Sequence, residues 1–97
     1  MSFAYVYILT NRPYGVLYTG VTTNLPQRIG QHRLEMANGF TKRYKCKNLV
    51  WYEAHDDINA AIKREKAIKR WPRRFKIEYI EHTNPTWTDL FPTIAHG

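Results

Sequence analysis

One carboxylate stands alone in the most basic stretch of the chain. Glu65 is the only acid in Ala61–Lys76, and it lies three residues from both Ile62 and Ile68. On a helix this spacing places Glu65 on the apolar, inward face, where a carboxylate is costly to bury without a partner. Two partners remain open: an arginine inside the fold, or a divalent cation such as Mg²⁺, which prefers oxygen ligands.

Arg28 and His32 are the next residues whose types suit chemistry. They are four residues apart in a segment with helical spacing, so they share one helix face at the margin between core and solvent. An arginine fork can bind a phosphate, and a histidine can move a proton near neutral pH. The alternative is structural: a surface arginine whose stem covers apolar atoms, and a half-buried histidine with satisfied hydrogen bonds.

Two tyrosines and a glycine complete the candidate site. If the opening hairpin pairs Leu9 with Val16, Tyr7 stands opposite Tyr18 on one face of the sheet. Gly20 beside them leaves room for a backbone or a ligand to approach closely. The alternative is a pair of core aromatics with hydroxyl groups at the rim. The sequence contains no Gly-rich phosphate loop, HExxH helix or nucleophile elbow.

These residues must be positioned by three strands, which the aromatic and β-branched runs predict at Phe3–Leu9, Val16–Thr22 and Asn48–Ala54. Both faces of the first strand are apolar, which indicates a central strand that is covered on both sides.

Helices are predicted between and after the strands. The first begins at an N-cap, Thr23 or Asn24, carries Leu25, Ile29 and Met36 at helical spacing, and ends near Asn38-Gly39. Phe40–Lys47 is predicted to be a basic loop.

Two further helices follow the third strand. One runs from a cap at Asp56 or Asp57 to Trp71, and Pro72 starts another with Phe75, Tyr79 and Ile80 on one side. The order ββαβαα predicts an α+β domain with a three-stranded sheet. We expect one domain over residues 1–97, with a core at about 3–82 and a tail at 83–97 that packs, if at all, through Trp87, Leu90 and Phe91.

Charge and composition point to a partner and a compartment. The 97 residues include 15 Lys and Arg against 8 Asp and Glu, a net charge of +7, and eight of the cations fall in Ala61–Lys76. Such a cluster favours a polyanion-binding face over a merely solvated one. The single cysteine, Cys46, excludes an internal disulfide and a Cys-based zinc site. The sequence has no membrane span and no secretion signal, so we expect a soluble, cytoplasmic protein.

The combined pattern is more specific than its parts. It runs YVY (Tyr5–Tyr7), YTG (Tyr18–Gly20), then Asn24, Arg28 and His32, and later a lone Glu on a helix. This pattern resembles the GIY-YIG endonuclease superfamily, and above all its small stand-alone members. The resemblance covers nearly the whole chain, including the blocks LYTGVTTNLPQRIGQH, GFTKRY, LVWYE, AIKREKAIKRW and NPTWTDL. The drift from GIY to YVY and from YIG to YTG removes neither tyrosine.

The resemblance implies a fold and a set of roles. The fold is a three-stranded antiparallel sheet flanked by helices. Tyr7 and Tyr18 would sit at the attacking water, Arg28 would contact the scissile phosphate with His32 beside it, and Glu65 would be the one carboxylate on a single Mg²⁺ or Mn²⁺. An arginine fork and a cation suit the negative charge of a phosphodiester transition state. Tyr7, Tyr18 and His32 remain rival candidates for the base.

The leading interpretation is a metal-dependent endonuclease that cuts DNA with low sequence specificity or by recognising a structure. The alternatives are a nucleic-acid-binding module with little turnover and an RNA-directed nuclease. Oligomeric state stays open, and we expect structural roles for Gly20, Asn24, Asn84 and Trp87. The expected nucleic-acid contacts are the basic residues Lys42, Arg43, Lys45, Lys63, Arg64, Lys66, Lys69, Arg70, Arg73 and Arg74.

Overall fold

The structure is a computed structural model, and it describes residues 3–34 and 39–95. For Phe40, only the backbone is described. Its sheet has three antiparallel strands in the order β2-β1-β3. The strands are β1 Ala4–Thr10, β2 Leu17–Thr22 and β3 Asn48–His55. The helices are α1 Leu25–Arg33, α2 Gly39–Tyr44, α3 Ile58–Arg70, α4 Arg73–Thr83 and α5 Phe91–Ala95. The predicted α+β class and the order ββαβαα are confirmed, with α2 and α5 as additional short helices. No helix in the described residues is long and apolar enough to cross a membrane.

The central strand β1 is covered on both faces, as its apolar composition predicts. Val6 and Ile8 belong to a cluster with Ile68 of α3 and Ile80 of α4. Residues of the opposite face, such as Tyr7, pack in a second cluster formed with α1. Because β1 is buried on both faces, its side chains alternate between two separate hydrophobic cores. The cluster containing Tyr7 is the one next to the candidate site.

The register of the hairpin differs from the expected one by two residues. Leu9 pairs with Tyr18, and Tyr7 pairs with Gly20. The connecting loop closes on itself, because Oδ1 of Asn11 accepts a hydrogen bond from the backbone N–H of Val16 at 2.9 Å, and strand pairing therefore starts only at Leu17. A shift of two residues preserves the face of every side chain, so Tyr7 and Tyr18 still point to the same side.

The start of α1 follows the sequence and its end does not. Asn24 is the N-cap, and its Oδ1 accepts a hydrogen bond from the N–H of Gln27 at 3.2 Å. The helix ends at Arg33 rather than near Asn38-Gly39, with Leu34 as its C-cap, whose backbone N–H bonds to the carbonyl of Gly30 at 3.1 Å. Met36 and Asn38 lie outside the described residues.

The segment predicted as a basic loop contains α2. Thr41 is buried inside this helix, and its carbonyl accepts a hydrogen bond from the N–H of Cys46, which is also buried. These two buried residues pack the segment against the core. Its exposed residues Lys42 and Arg43 are what made the sequence pattern typical of a loop.

The ends of α3 follow from capping, whereas the packing of α4 differs from expectation. Asp57 caps α3 by accepting a hydrogen bond from the N–H of Asn59 at 3.2 Å. On α4, Phe75 and Tyr79, which were predicted to lie on one side with Ile80, are 42% and 43% exposed. The helix packs on the core through Ile80, which is fully buried.

The C-terminal segment packs on the domain. Trp87 is buried, and the N–H of Leu90 donates a hydrogen bond to the carbonyl of Leu49 at 2.7 Å. Asp89 accepts a hydrogen bond from the N–H of Phe91 at the start of α5. The segment described as a tail thus forms a short helix that covers the sheet face carrying Tyr7.

Candidate active site

Three aromatic rings meet where β1, β2 and α1 come together. The ring centroids of Tyr7 and Tyr18 are 6.4 Å apart. That of His32 lies 5.8 Å from Tyr7 and 5.6 Å from Tyr18. Because Tyr7 and His32 are fully buried and Tyr18 is half-buried, the cluster has one partly open side. Three of the predicted site residues are therefore brought together.

His32 links Tyr7 to a residue that the sequence reasoning missed. The hydroxyl oxygen of Tyr7 lies 3.0 Å from Nε2 of His32, and Oγ1 of Thr41 lies 3.0 Å from Nδ1. Both ring nitrogens are thus within hydrogen-bond distance of a hydroxyl group. Thr41 stands in the GFTKRY block, where its only sequence signal was a polar residue before two cations in a segment predicted to be a loop.

The pKa values of Tyr7 and His32 are pushed apart. Burial raises the pKa of Tyr7 to about 12, partly offset by hydrogen bonding from Arg28. Burial also lowers the pKa of His32 to about 4, and the positive charge of Arg28 acts in the same direction. Moving the proton of Tyr7 onto His32 would cost about 11 kcal/mol at about 1.4 kcal/mol per pKa unit. At neutral pH both side chains are therefore uncharged.

Arg28 stands one helical turn before His32 on α1. Its side chain is half-buried, and Nη1 donates a hydrogen bond to Oε1 of Gln31 at 3.3 Å. Its guanidinium acts on both Tyr7 and His32, as their pKa shifts show. The structure thus places a permanent cation beside the aromatic cluster, as the four-residue spacing from His32 predicts.

Gly20 supplies space for one particular neighbour. A Cβ atom at this position would overlap Cζ and the hydroxyl oxygen of Tyr7. The close approach that we expected at Gly20 therefore comes from a side chain of the neighbouring strand rather than from a ligand or a backbone segment.

Glu65 faces inward from α3, as the apolar spacing predicts, and is 9% exposed. Its Oε2 atom lies 2.6 Å from Nζ of Lys69, four residues later on the same helix. The partner within the fold is thus a lysine, where an arginine had been the structural alternative. The negative charge of Glu65 is also one of the influences that raise the pKa of Tyr7. This links the carboxylate electrostatically to the aromatic cluster.

The donor set at Glu65 suits a hard cation that keeps its own waters. In residues 3–34 and 39–95 there is no group of three or more His, Cys, Asp or Glu side chains able to hold a metal ion. Zinc sites need three or four such ligands. Mg²⁺, in contrast, is often held by one or two carboxylates together with waters and substrate phosphates. A single carboxylate is compatible with that chemistry, provided that waters and substrate phosphates supply the other ligands.

The predicted nucleic-acid contacts divide into two groups, and the first is solvent-exposed. At 100° per residue around α3, Lys66, Arg70 and Lys63 lie on the side of Glu65 where Lys69 stands. Lys42, Arg43 and Lys45 are exposed on and just after α2. These side chains are positioned to meet a polyanion.

The second group is used within the fold. Nε of Arg64 donates to Oε1 of Glu53 at 3.0 Å, and its guanidinium stacks 5.1 Å from the centroid of Trp71. Nη2 of Arg73 donates to the carbonyls of Tyr14 and Gly15, which holds the hairpin loop against α4. Arg74 lies over the ring of Phe75 at 5.3 Å. Arg64 and Arg73 therefore have structural contacts that the count of charges could not reveal.

The two expected structural residues of the C-terminal segment are themselves buried and have hydrogen-bond partners within the fold. Nδ2 of Asn84 donates to the carbonyls of Val50 and Thr88 at 3.1 and 2.8 Å, and its Oδ1 accepts from the N–H of Thr88. Nε1 of Trp87 donates to Glu81 at 3.0 Å. These contacts join the segment after α4 to strand β3.

Comparison with known proteins agrees with the fold. Residues 3–78 match a family model described as the GIY-YIG catalytic domain. A UPF0213 protein of Staphylococcus haemolyticus is 36% identical over 84% of this chain and 98% of its own length. One of Haloquadratum walsbyi is 33% identical over 82% of this chain and 89% of its own length.

A solved structure is similar as well. The solution NMR structure of the UPF0213 protein of Bacillus halodurans superimposes with a TM-score of 0.55 at 28% identity, and the match covers 89% of this chain and 90% of that one. The range of the family model includes Tyr7, Tyr18, Arg28, His32 and Glu65.

Proposed function

Because the chain belongs to the GIY-YIG catalytic domain family, a family of nucleases, we propose that it is a metal-dependent endonuclease that hydrolyses phosphodiester bonds of DNA. The observation that carries this proposal is the meeting of Tyr7, Tyr18 and His32 in one cluster, beside the guanidinium of Arg28. The charge of Glu65 acts on the same cluster.

The hydroxyl group of Tyr7 is the proposed partner of the attacking water. As the water oxygen bonds to phosphorus, the water must lose a proton, and the bond between phosphorus and the leaving oxygen must break. Burial raises the pKa of Tyr7 to about 12, so little of the phenolate that could act as a base forms at neutral pH. A nearby positive charge that stabilises the phenolate would overcome this. Arg28 supplies one such charge. Tyr18 orients the water from the opposite side of the cluster, and His32 accepts the proton that Tyr7 gives up.

Glu65 is the proposed ligand of one Mg²⁺ or Mn²⁺. A bound divalent cation supplies charge stabilisation for the phosphate oxygens and for the leaving oxygen. The negative charge of Glu65 raises the pKa of Tyr7. A divalent cation bound to Glu65 would make the net charge at this position positive. Glu65 therefore has a second proposed effect, because a cation bound to its carboxylate favours ionisation of Tyr7.

Arg28 is the proposed contact of the scissile phosphate. Its planar guanidinium can donate two parallel hydrogen bonds to non-bridging oxygens, and its charge is fixed at every accessible pH. The half-buried side chain limits solvent screening, so the interaction strengthens as charge gathers in the transition state. Exposed cations of α2 and α3 hold the backbone on either side, which positions the nucleic acid without specifying a base sequence. Low sequence specificity or recognition of a structure follows from contacts of this kind.

Nicking of a supercoiled plasmid by the purified protein tests this function. We expect nicking with Mg²⁺ or Mn²⁺, none with EDTA, and loss of nicking in Glu65→Gln. Glu78→Gln is the matched control, because Glu78 is exposed on α4. Nicking by Glu65→Gln at the wild-type rate would contradict the proposed site.

A second arm compares substrates. Labelled DNA and RNA of the same sequence are offered in competition, and we expect DNA to be cut first. Faster cleavage of RNA would show that RNA, rather than DNA, is the preferred substrate. Binding of either one without cleavage under all metal conditions would indicate the binding module.

A further inference from the structure

Thr41 has a buried hydroxyl group that none of the roles above uses. It is 2% exposed, although the residues that follow it on α2, Lys42 and Arg43, are exposed to solvent. Its Oγ1 atom faces Nδ1 of His32 at 3.0 Å. A hydroxyl group buried in a short basic helix is thus directed at one nitrogen of the histidine whose other nitrogen faces Tyr7.

The two contacts of His32 allow two arrangements of protons. A neutral imidazole carries a proton on one nitrogen and accepts at the other. With the proton on Nδ1, His32 donates to Thr41 and accepts from the Tyr7 hydroxyl at Nε2. With the proton on Nε2, it donates to Tyr7 and accepts from Thr41. Only the first arrangement presents a lone pair to the proton of Tyr7.

The surroundings of Tyr7 favour the first arrangement. The guanidinium of Arg28 carries only donors, and its influence lowers the pKa of Tyr7, so it acts on the phenolic oxygen and not on the hydroxyl proton. The O–H of Tyr7 has Nε2 of His32 as an acceptor at 3.0 Å, and donating there leaves the phenolic oxygen open to the donors of Arg28. A second donor from His32 would compete with Arg28 for the same oxygen.

We propose that Thr41 is a positioning residue that accepts the Nδ1–H of His32 and so keeps Nε2 as the acceptor for the hydroxyl proton of Tyr7. The hydroxyl group of Thr41 also holds the plane of the ring against the tyrosine. A threonine suits this position, because its oxygen accepts a hydrogen bond without adding a negative charge to a buried site.

For turnover, the inference rests on the proposed function. When the water gives its proton to Tyr7, the former hydroxyl proton of Tyr7 passes to Nε2, and His32 becomes an imidazolium that still donates Nδ1–H to Thr41. Each O–H bond that breaks is matched by an O–H or N–H bond that forms. The buried imidazolium needs an acceptor at Nδ1, since burial opposes its charge. Loss of that acceptor should slow the reaction without weakening substrate binding.

NMR of the protein labelled with ¹⁵N-histidine tests the inference without any reaction. Long-range ¹H–¹⁵N correlations distinguish a protonated ring nitrogen from an unprotonated one, and the signals of His32 are assigned by their absence in His32→Gln. We expect a proton on Nδ1 and none on Nε2 in the wild-type protein. Thr41→Val should shift the proton toward Nε2, and Thr41→Ser should restore the wild-type pattern. A wild-type proton on Nε2 would overturn the inference, whether or not Thr41→Val folds.

Cleavage kinetics supply the second readout. We expect Thr41→Val to lower kcat by about 10- to 100-fold, as for other residues that orient a reacting group, with KM within a few-fold of wild type. Thr41→Ser should stay within a few-fold in both. Thr10→Val is the control, because Thr10 is also a buried threonine but donates to the carbonyl of Arg12, outside the site. An unchanged kcat in folded Thr41→Val contradicts the inference. If the wild-type protein cuts no nucleic acid, the proposed function fails, whereas the tautomer is still decided by NMR.

Discussion

Gly20 lies so close to Tyr7 that a Cβ atom at position 20 would overlap the hydroxyl end of the tyrosine ring. The two residues are directly paired between β2 and β1. The ring of Tyr7 can reach His32 only because the neighbouring strand has no side chain at this point. The lack of a side chain at Gly20 is therefore required for the contact between Tyr7 and His32.

Substitution Gly20→Ala should displace the Tyr7 ring. Because both residues lie in a packed sheet, we expect the free energy of unfolding to fall by about 1–3 kcal/mol, together with a large loss of cleavage. Urea unfolding and plasmid nicking measure the two effects. Gly30→Ala is the matched control, since no atom lies within 4 Å of a Cβ there and alanine favours the helix. A Gly20→Ala protein as stable and active as wild type would contradict the packing argument.

Arg28→Ala should separate catalysis from binding. Its guanidinium acts on Tyr7 and His32, whereas the exposed cations that we propose to hold nucleic acid lie on and near α2 and on α3. We expect cleavage to fall by at least about 100-fold, as for loss of one donor to a developing charge, while affinity measured by gel shift stays within a few-fold. Arg12→Ala, which removes an exposed arginine in the hairpin loop, should leave cleavage intact. Full activity of Arg28→Ala would exclude the proposed phosphate contact.

Lys69 would compete with the proposed cation for Glu65. Its Nζ lies 2.6 Å from the carboxylate, so a metal ion must displace it or bind beside a positive charge. Lys69→Met should therefore raise the affinity for Mn²⁺, by about 2- to 10-fold for a half-exposed pair of about 1 kcal/mol. Titration followed by electron paramagnetic resonance measures free Mn²⁺ directly. Lys66→Met removes an exposed charge from the same helix, and a gain in this variant as large as in Lys69→Met would show a general charge effect instead.

Cations of α3 should differ in what they contribute. Arg64 pairs with Glu53 and stacks on Trp71, so Arg64→Ala should mainly lower stability. Lys66 is exposed, and Lys66→Ala should weaken binding of all sequences and reduce the salt slope of log K by about 0.9, the value for one phosphate contact. Fluorescence anisotropy at several salt concentrations and thermal unfolding compare the two variants. A smaller salt slope in Arg64→Ala than in Lys66→Ala would reverse this assignment.

The sequence predicts the elements and faces of the site better than its contacts. Period-two alternation decides the face of Tyr7 and Tyr18, and a two-residue error in register leaves that face unchanged. Helical spacing likewise decides that Glu65 faces inward. These properties depend on local order alone, which explains their success.

Contacts between distant segments escape such reasoning. The hydrogen bond between Thr41 and His32 requires α2, which a basic segment does not suggest. The engagement of Arg64 with Glu53 depends on where β3 lies beside α3. A charge count treats Arg64 and Lys66 as equals, whereas tertiary packing gives them different partners.

Burial of His32 should make stability depend on pH. Its side chain is fully buried, and its pKa is lowered from 6.5 to about 4, first by burial and then by the charge of Arg28. Between these pH values the unfolded chain binds a proton that the folded protein excludes, so stability falls as the pH is lowered through this window. Above pH 6.5 the histidine has no such effect, and the full loss by pH 4 is about 3 kcal/mol.

Urea unfolding between pH 8 and pH 4 measures this dependence. Carboxylates also titrate near the lower limit, so the histidine contribution is the difference between the wild-type protein and His32→Gln. We expect His32→Gln to lose about 3 kcal/mol less than wild type over the range. His82→Gln removes an exposed histidine and should keep the wild-type dependence. Equal slopes for wild type and His32→Gln would mean that the pKa of His32 is not lowered in the folded protein, which would contradict the effect of burial on this side chain.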